Sequence, residues 1–314
     1  MNKEAFQIER VAIIGCGTIG ISWAAYFLSQ GLAVSAWDPD VAAREAFAAW
    51  VAEDMRSLDA TPRMPDIAMS QANSVAAADL IVENAPESAE LKQELLAELQ
   101  LRAPRESIIA SSTSSLRHSD IATKVKEPGR VVIAHPFNPP HLVPLVELYG
   151  PDTSIVERLM GFYRSIGKQP VKMQKEMVGH IANRLSSALW REALYLLQEG
   201  VATVEDIDRA VTAGPGLRWA IQGPFMTYHL GGGRGGIRQY LEHLGSSQEY
   251  RWASLGRPVM NDALKAKIIA GVDDVTEGRD IEALSGHRDA MLVVLQQAAK
   301  QELQSLSIDS EEHA

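Results

Sequence analysis

Between Ala134 and Gly150 the chain reads AHPFNPPHLVPLVELYG, an apolar run that nevertheless carries His135, Asn138 and Glu147. Prolines at 136, 139, 140 and 144 forbid a helix there, so these groups belong to a strand and a loop. A buried imidazole or carboxylate is costly unless another group satisfies it. The pair therefore either sits in solvent or performs chemistry. An imidazole titrates near about 6.5, close to working pH, and a carboxylate beside it favours its charged form. A histidine of this kind suits proton transfer near neutral pH. Spacing does not pair the two residues, because in a plain hairpin His135 and Glu147 fall several positions apart.

A second constellation lies near the N-terminus, in RVAIIGCGTIGISWAAYFLSQGLAVSAWDPD. Gly15, Gly17 and Gly20 form G-x-G-x-x-G between an apolar strand and a helical pattern, with Asp38 ending the next strand. Gly15 permits the tight turn, Gly17 lets the backbone approach a pyrophosphate, and Gly20 allows the helix to pack closely. The helix start at Thr18 and Ile19 stabilises phosphate charge. Asp38 suits two ribose hydroxyls and repels a 2′-phosphate, which favours NAD over NADP. FAD is the alternative dinucleotide. Cys16 is read as a small filler in this loop.

Short strands alternate with helices to about residue 178: LIVENA, SIIASST, RVVIAH, LVPLVEL and PVKMQ are strand-like, and LKQELLAELQ is helical. Ser154 with Glu157 reads as a capping box and Gly167 as a helix end. This is the pattern of an α/β, Rossmann-type, doubly wound and mostly parallel sheet. Strand signals then cease, and GHIANRLSSALWREALYLLQEG opens an all-helical stretch. The expected domains are 1–178, binding the dinucleotide, and 179–314, helical, binding substrate and forming a dimer. The 314 residues are 46% hydrophobic with a net charge of −10, which argues against nucleic acid or an anionic membrane as partner. The lone cysteine, the polar N-terminal MNKEAFQIER and the lack of a long apolar run lead to the expectation of a cytoplasmic protein. His118, His141, His180, His229, His243, His287 and His313 show no metal-ligand spacing, and no metal is expected.

The run around His135, together with SSTSSL at 111–116 and GHIANRL at 179–185, resembles the L-3-hydroxyacyl-CoA dehydrogenase superfamily. The resemblance spans roughly residues 9 to 245 and includes the branches acting on L-carnitine and on L-gulonate, to which lambda-crystallin is related. It implies that His135 is the general base, that Glu147 orients it, and that Ser114 and Asn183 contact the reacting oxygen and the substrate. Asn138 falls in the same motif and is assigned to the substrate. Glu87 and Lys92 match positions on the cofactor side. One departure stands out: Ser112 occupies a place where the family carries asparagine near the nicotinamide. Each of these residues also has a plain structural reading, as a turn, a helix start or a solvated charge.

Acyl-CoA members contact their anionic substrate from a lysine-rich helical insertion. The corresponding stretch here, Asp38 to Asp79, holds no lysine, only Arg44, Arg56 and Arg63 against eight acidic residues. A free 3-hydroxy acid, of carnitine or gulonate type, is therefore favoured over a CoA ester, which is the alternative. Arg218 could hold a substrate carboxylate, and Trp190, Trp219, Phe225 and Tyr228 could face a trimethylammonium group or form helical core. A structural or NAD-sensing protein on the same fold is the alternative from another class. A homodimer of an NAD-dependent dehydrogenase acting on a small molecule is the expectation.

Overall fold

Four-residue apolar runs with no polar alternation must be buried on both faces, and that is how the central strands sit. Val11 to Ile14 are all buried, as a parallel strand covered by helices on each side requires. A computed structural model describes residues 7–311 of the chain, with side chains to 298. In chain order the first part runs β1 (Arg10–Ile14), α1 (Thr18–Ser29), β2 (Ala33–Trp37), α2 (Val41–Ser57), β3 (Asp66–Ile67), α3 (Gln71–Val75), β4 (Leu80–Glu83), α4 (Ala89–Arg102), β5 (Ile108–Ser111), α5 (His118–Ile121), β6 (Val131–Pro136), β7 (Leu145–Tyr149), α6 (Thr153–Ser165) and β8 (Gln169–Lys172). Helices follow: α7 (Ala182–Gln198), α8 (Val204–Thr212), α9 (Pro215–Trp219), α10 (Pro224–Gly231), α11 (Gly236–Ser254), α12 (Asp262–Thr276) and α13 (Ile281–Glu311).

Among the described residues, eight strands form one sheet in the order β3-β2-β1-β4-β5-β6-β7-β8. The pairings from β3 to β6 are parallel, β6 and β7 are antiparallel, and β8 lies parallel to β7. This is the doubly wound, mostly parallel order whose reversal of direction falls between β1 and β4, where ligands settle at the carboxyl ends of the strands. One core packs Trp23, Phe27, Phe47, Leu159 and Tyr163 on one face. The other packs Leu96, Leu99, Ile109, Ile121 and Ile133. One compact unit runs to Arg184 and resumes at Ser285, and the second is Leu185–Leu284.

Three local expectations change. Asp152, not Ser154, caps α6, its carboxylate accepting from Ser154 N at 2.8 Å and Ile155 N at 3.4 Å. A carboxylate two positions earlier reaches the free N–H groups first and carries a charge that suits the helix dipole. His135 and Glu147 are directly opposed in the β6–β7 register. The prolines keep residues 137–144 out of the strands, so all the intervening chain is loop and no offset accumulates. Trp190, Trp219, Phe225 and Tyr228 do not form a core within their unit, being 54%, 45%, 86% and 43% exposed.

The loop after β6 is held from outside. Ser22 Oγ on α1 accepts His141 N–H at 2.8 Å and lies 2.7 Å from His141 Nδ1, and Asp54 Oδ2 on α2 is 3.3 Å from the same nitrogen. The last contact has ion-pair geometry without being an ion pair. Burial pushes His141 down to about 4 despite the attraction of Asp289, with Lys168 and Arg288 acting in the same sense as burial. Burial, with Asp289 and Glu53 nearby, pushes Asp54 up to about 6. No pH leaves both groups charged. Because the folded carboxyl of Asp54 binds its proton more tightly than the unfolded one, its ionisation opposes folding above about pH 6, and that penalty fades as pH falls toward the unfolded value. Asp54→Asn should therefore melt at least about 2 °C higher than the unmodified protein at pH 8. The advantage should shrink in melts at pH 5; a lower melting temperature at pH 8 would contradict it.

Candidate active site

The glycine loop follows β1 directly. Gly15 has φ +101°, and a Cβ on it would stand 2.8 Å from Asn84 O; a Cβ on Gly20 would stand 2.0 Å from Gly15 O. Neither position admits a side chain. Gly17, by contrast, has nothing within 4 Å of where a Cβ would be, and it caps the N-terminus of α1 without a side-chain hydrogen bond. Backbone N–H groups at Thr18 and Ile19 thus open the helix beside free space, as a pyrophosphate requires. Asp38 ends β2 next to this turn, its carboxylate accepting from Cys16 N and Asp40 N, both at 2.8 Å. Burial pushes the Cys16 thiol up to about 12, helped by Asp38, so it remains an un-ionised filler.

A cavity of about 420 Å³ opens at the carboxyl ends of the strands. Of the expected residues, Ile19, Glu87, Lys92, Ser112, Ser114, His135, Asn138 and Asn183 line it. Sequence reasoning passed over Asn84, Ala85, Pro136 and Phe137, which also line it. The signal for Asn84 was its place after LIVE, at the end of the strand beside β1. Asn84 Oδ1 and Ser112 Oγ are buried without a hydrogen-bond partner among the described residues. Such atoms cost about 1–3 kcal/mol each until something bonds them. Both fit a bound dinucleotide, so Ser112 offers a polar atom where the family's asparagine was expected.

His135 Nδ1 meets Glu147 Oε2 at 2.9 Å across the β6–β7 pair. Glu147 is 1% exposed, and its other oxygen accepts Ile181 N–H at 2.8 Å and Ala182 N–H at 3.0 Å, just where α7 begins. Burial alone would raise this carboxyl, but the bonds from His135 and from the two backbone groups outweigh it and hold it below its ordinary value. Glu147 is therefore ionised at neutral pH and Nδ1 carries the proton toward it. Asn183 Nδ2 donates to Ser114 O at 3.0 Å. By packing Asn183 belongs to the first compact unit, whereas Arg218 and Trp219 lie exposed on α9 of the second.

Two further groups shape the floor. Lys92, 1% exposed, donates to Glu83 Oε1 at 2.7 Å and to Ala85 O at 2.9 Å, with Glu87 Oε2 at 3.8 Å. Glu87 Oε1 accepts from Thr113 Oγ1 at 2.6 Å, Ser115 N at 2.9 Å and Ser114 N at 3.0 Å, and more weakly from Ser114 Oγ at 3.3 Å. Burial opposes the charge on Glu87, yet these donors and Lys92 keep its carboxyl below the usual range. His180 was read only as lacking metal spacing. It is 2% exposed, donates from Nε2 to Thr113 O at 3.0 Å and packs its ring 5.1 Å from that of His135. Burial pushes His180 down, so it is neutral beside the His135–Glu147 pair.

Residues 10–177 match the family model for the NAD binding domain of 3-hydroxyacyl-CoA dehydrogenase, and residues 179–271 match that for its C-terminal domain. The chain belongs to the 3-hydroxyacyl-CoA dehydrogenase family. It is an NAD-dependent oxidoreductase acting on the CH–OH group of a 3-hydroxy acid. Within this family it is 41% identical over 304 residues to an L-carnitine dehydrogenase of Nocardiopsis dassonvillei, covering 94% of this chain and 92% of that one. A second L-carnitine dehydrogenase, from Bacillus cereus, is 42% identical over 304 residues, with 94% and 93% covered. Among solved structures, an NAD+-dependent dismutase, 5-formyl-3-hydroxy-2-methylpyridine 4-carboxylic acid 5-dehydrogenase, superposes with a TM-score of 0.80 at 27% identity, covering 94% of this chain and 99% of that one.

Losing the charge on Glu147 should also cost stability. Its folded carboxyl is depressed, so the stabilisation is present above the unfolded value and is lost as pH falls through the folded one. Glu147→Gln should be less stable than the unmodified enzyme by about 2 kcal/mol at pH 7 in urea melts. The gap should close in acid, and a gap that stays constant from pH 7 to pH 3 would contradict the assignment.

Proposed function

We propose that this dehydrogenase oxidises the 3-hydroxyl of a free L-3-hydroxy acid of carnitine type to the 3-keto acid, with His135 as general base. The observation that carries the reading is the 2.9 Å contact of His135 Nδ1 with Glu147 at the wall of the cavity. With Nδ1–H committed to an ionised carboxylate, the ring's other nitrogen, Nε2, is left as the acceptor for a hydroxyl proton. The proton ends on Nε2, and Glu147 stabilises the resulting imidazolium. When bound, NAD supplies the acceptor for the hydride that leaves carbon 3. Gly15, Gly17, Gly20 and Asp38 are the residues assigned to hold the dinucleotide, with Asn84, Glu87, Lys92 and Ser112 on its nicotinamide side. Ser114 and Asn183 can donate to the carbonyl oxygen as it forms, and Asn138 is assigned to holding the acid.

Three features support a small free acid. The named relatives that match over nine-tenths of both chains are L-carnitine dehydrogenases. The stretch carrying α2, from Asp38 to Asp79, has no lysine with which to neutralise a CoA phosphate. Phe137 gives the cavity an aromatic wall of the kind that attracts a quaternary ammonium. A CoA ester is the second reading, favoured by the family model's own description. In the helical unit Leu241, Leu244, Ile269 and Val272 are 60%, 42%, 61% and 44% exposed, and a second copy of the chain would cover them in a homodimer. The lone un-ionised thiol at Cys16 is in keeping with a reducing, cytoplasmic setting.

NADH formation from L-carnitine, L-gulonate and L-3-hydroxybutyrate, beside L-3-hydroxybutyryl-CoA, tests the substrate. A free acid should lead in kcat/KM; a CoA ester ahead by about 100-fold, or about 2.7 kcal/mol, would reverse the assignment. His135→Gln tests the base. Its kcat should fall by at least about 100-fold while NADH affinity is kept, and an unchanged kcat would remove His135 from the chemistry.

A further inference from the structure

Ser22, His141 and Asp54 bring together the residue types of a hydrolytic triad, and their geometry excludes that use. A triad base meets its nucleophile at one ring nitrogen and its orienting carboxylate at the other. Here Ser22 Oγ at 2.7 Å and Asp54 Oδ2 at 3.3 Å both face Nδ1. Ser22 and His141 are also closed off, at 1% and 6% exposed.

What the cluster grips is backbone. Ser22 Oγ accepts His141 N–H at 2.8 Å. Lys168 Nζ donates to Val143 O at 3.1 Å and also to Pro140 O, while stacked 3.6 Å over the Tyr26 ring. Gln296 Nε2 on α13 donates to Leu142 O. Every residue from Pro140 to Val143 thus has a main-chain group bound by a side chain from another part of the fold. A surface loop ordinarily leaves such groups to water. The nearest cavity-lining residues on the N-terminal side are Phe137 and Asn138. They are bracketed by His135, fixed in the sheet, and by this gripped strap.

We propose that Ser22, His141, Lys168 and Gln296 are positioning residues for the 3-hydroxy acid, holding 140–143 so that Phe137 and Asn138 stand at a set depth in the cavity. The inference rests on the assignment of this cavity to the substrate. Their effect passes through the loop alone, so it falls on recognition of the acid and not on NAD or on the His135–Glu147 pair.

Ser22→Ala removes one hydroxyl, and Gln296→Ala trims a half-buried side chain; neither leaves a large void. For whichever acid the unmodified enzyme oxidises, both should raise KM at least about fivefold at saturating NAD, with kcat and the NADH dissociation constant within about twofold. An unchanged KM in both variants, with only a lower melting temperature, would reduce the strap to a structural feature and overturn the proposal. Hydrogen exchange without substrate separates this result from failure of the functional reading. Amides at 137–143 should exchange faster in Ser22→Ala than in the unmodified protein. Unchanged exchange there overturns the proposal even if no free acid is oxidised, whereas faster exchange supports it in that case.

Discussion

A carboxylate with almost no access to water organises this site. Moving an ion such as Glu147 out of water costs several kcal/mol. Three donors, from His135, Ile181 and Ala182, return about 1.5–3 kcal/mol each, which is comparable in size. None of the three is optional on that scale. The direct opposition of His135 and Glu147, the path of the chain into α7 and the tautomer of the imidazole are therefore one solution to one desolvation problem. Slipping β7 by a residue would turn Glu147 to the other face and leave it without any of these partners.

A second buried charged group, Lys92, lines the same cavity. Lys92 satisfies Glu83 and steadies Glu87, and Glu87 in turn gathers the N–H and hydroxyl groups of residues 113–115. His180 and Asn183 bind the same short segment through the carbonyls of Thr113 and Ser114. The serine-rich turn is thus fixed twice over, by one set of bonds from Glu87 and another from His180 and Asn183. Within so complete a network, the unpartnered oxygens of Asn84 and Ser112 stand out. Both residues line the cavity, where a bound ligand can supply the partners these atoms lack among the described residues.

The parts legible in the sequence were those with a local cause. The turn between β1 and α1 needs glycine for backbone reasons, so its residues announce it, and the strand–helix alternation follows from burial on two faces. His135, Glu147, Ser114 and Asn183 were readable as chemical types through the family motif, and they do converge. What was not legible depends on partners distant in the chain. The β6–β7 register rests on the prolines keeping the whole of 137–144 as loop. The cap of α6 turned on which of two neighbouring polar residues reaches the helix end first. Glu83, Lys92 and His180 become a network only once β4, α4 and the entry to α7 are side by side. His141 is most instructive, since its partners Ser22 and Asp54 lie far away in sequence, where no spacing rule could link them.

The loop that carries Phe137 and Asn138 also shows how a proline-rich segment can be buried at all. Pro139, Pro140, His141 and Leu142 are all buried, although loops carry main-chain groups that must find partners. Proline removes half of that demand, because it has no N–H to satisfy. The donors that remain are few: His141 N–H goes to Ser22, and those of Leu142 and Val143 go to Pro139 O at 3.0 and 2.9 Å. The carbonyls of Pro140, Leu142 and Val143 are taken by Lys168 and Gln296. With these groups accounted for, the strap can sink into the fold and leave Asn138 exposed and Phe137 half-buried at the cavity. The prolines that first ruled out a helix are thus also what make a rigid, nearly dry wall possible beside His135.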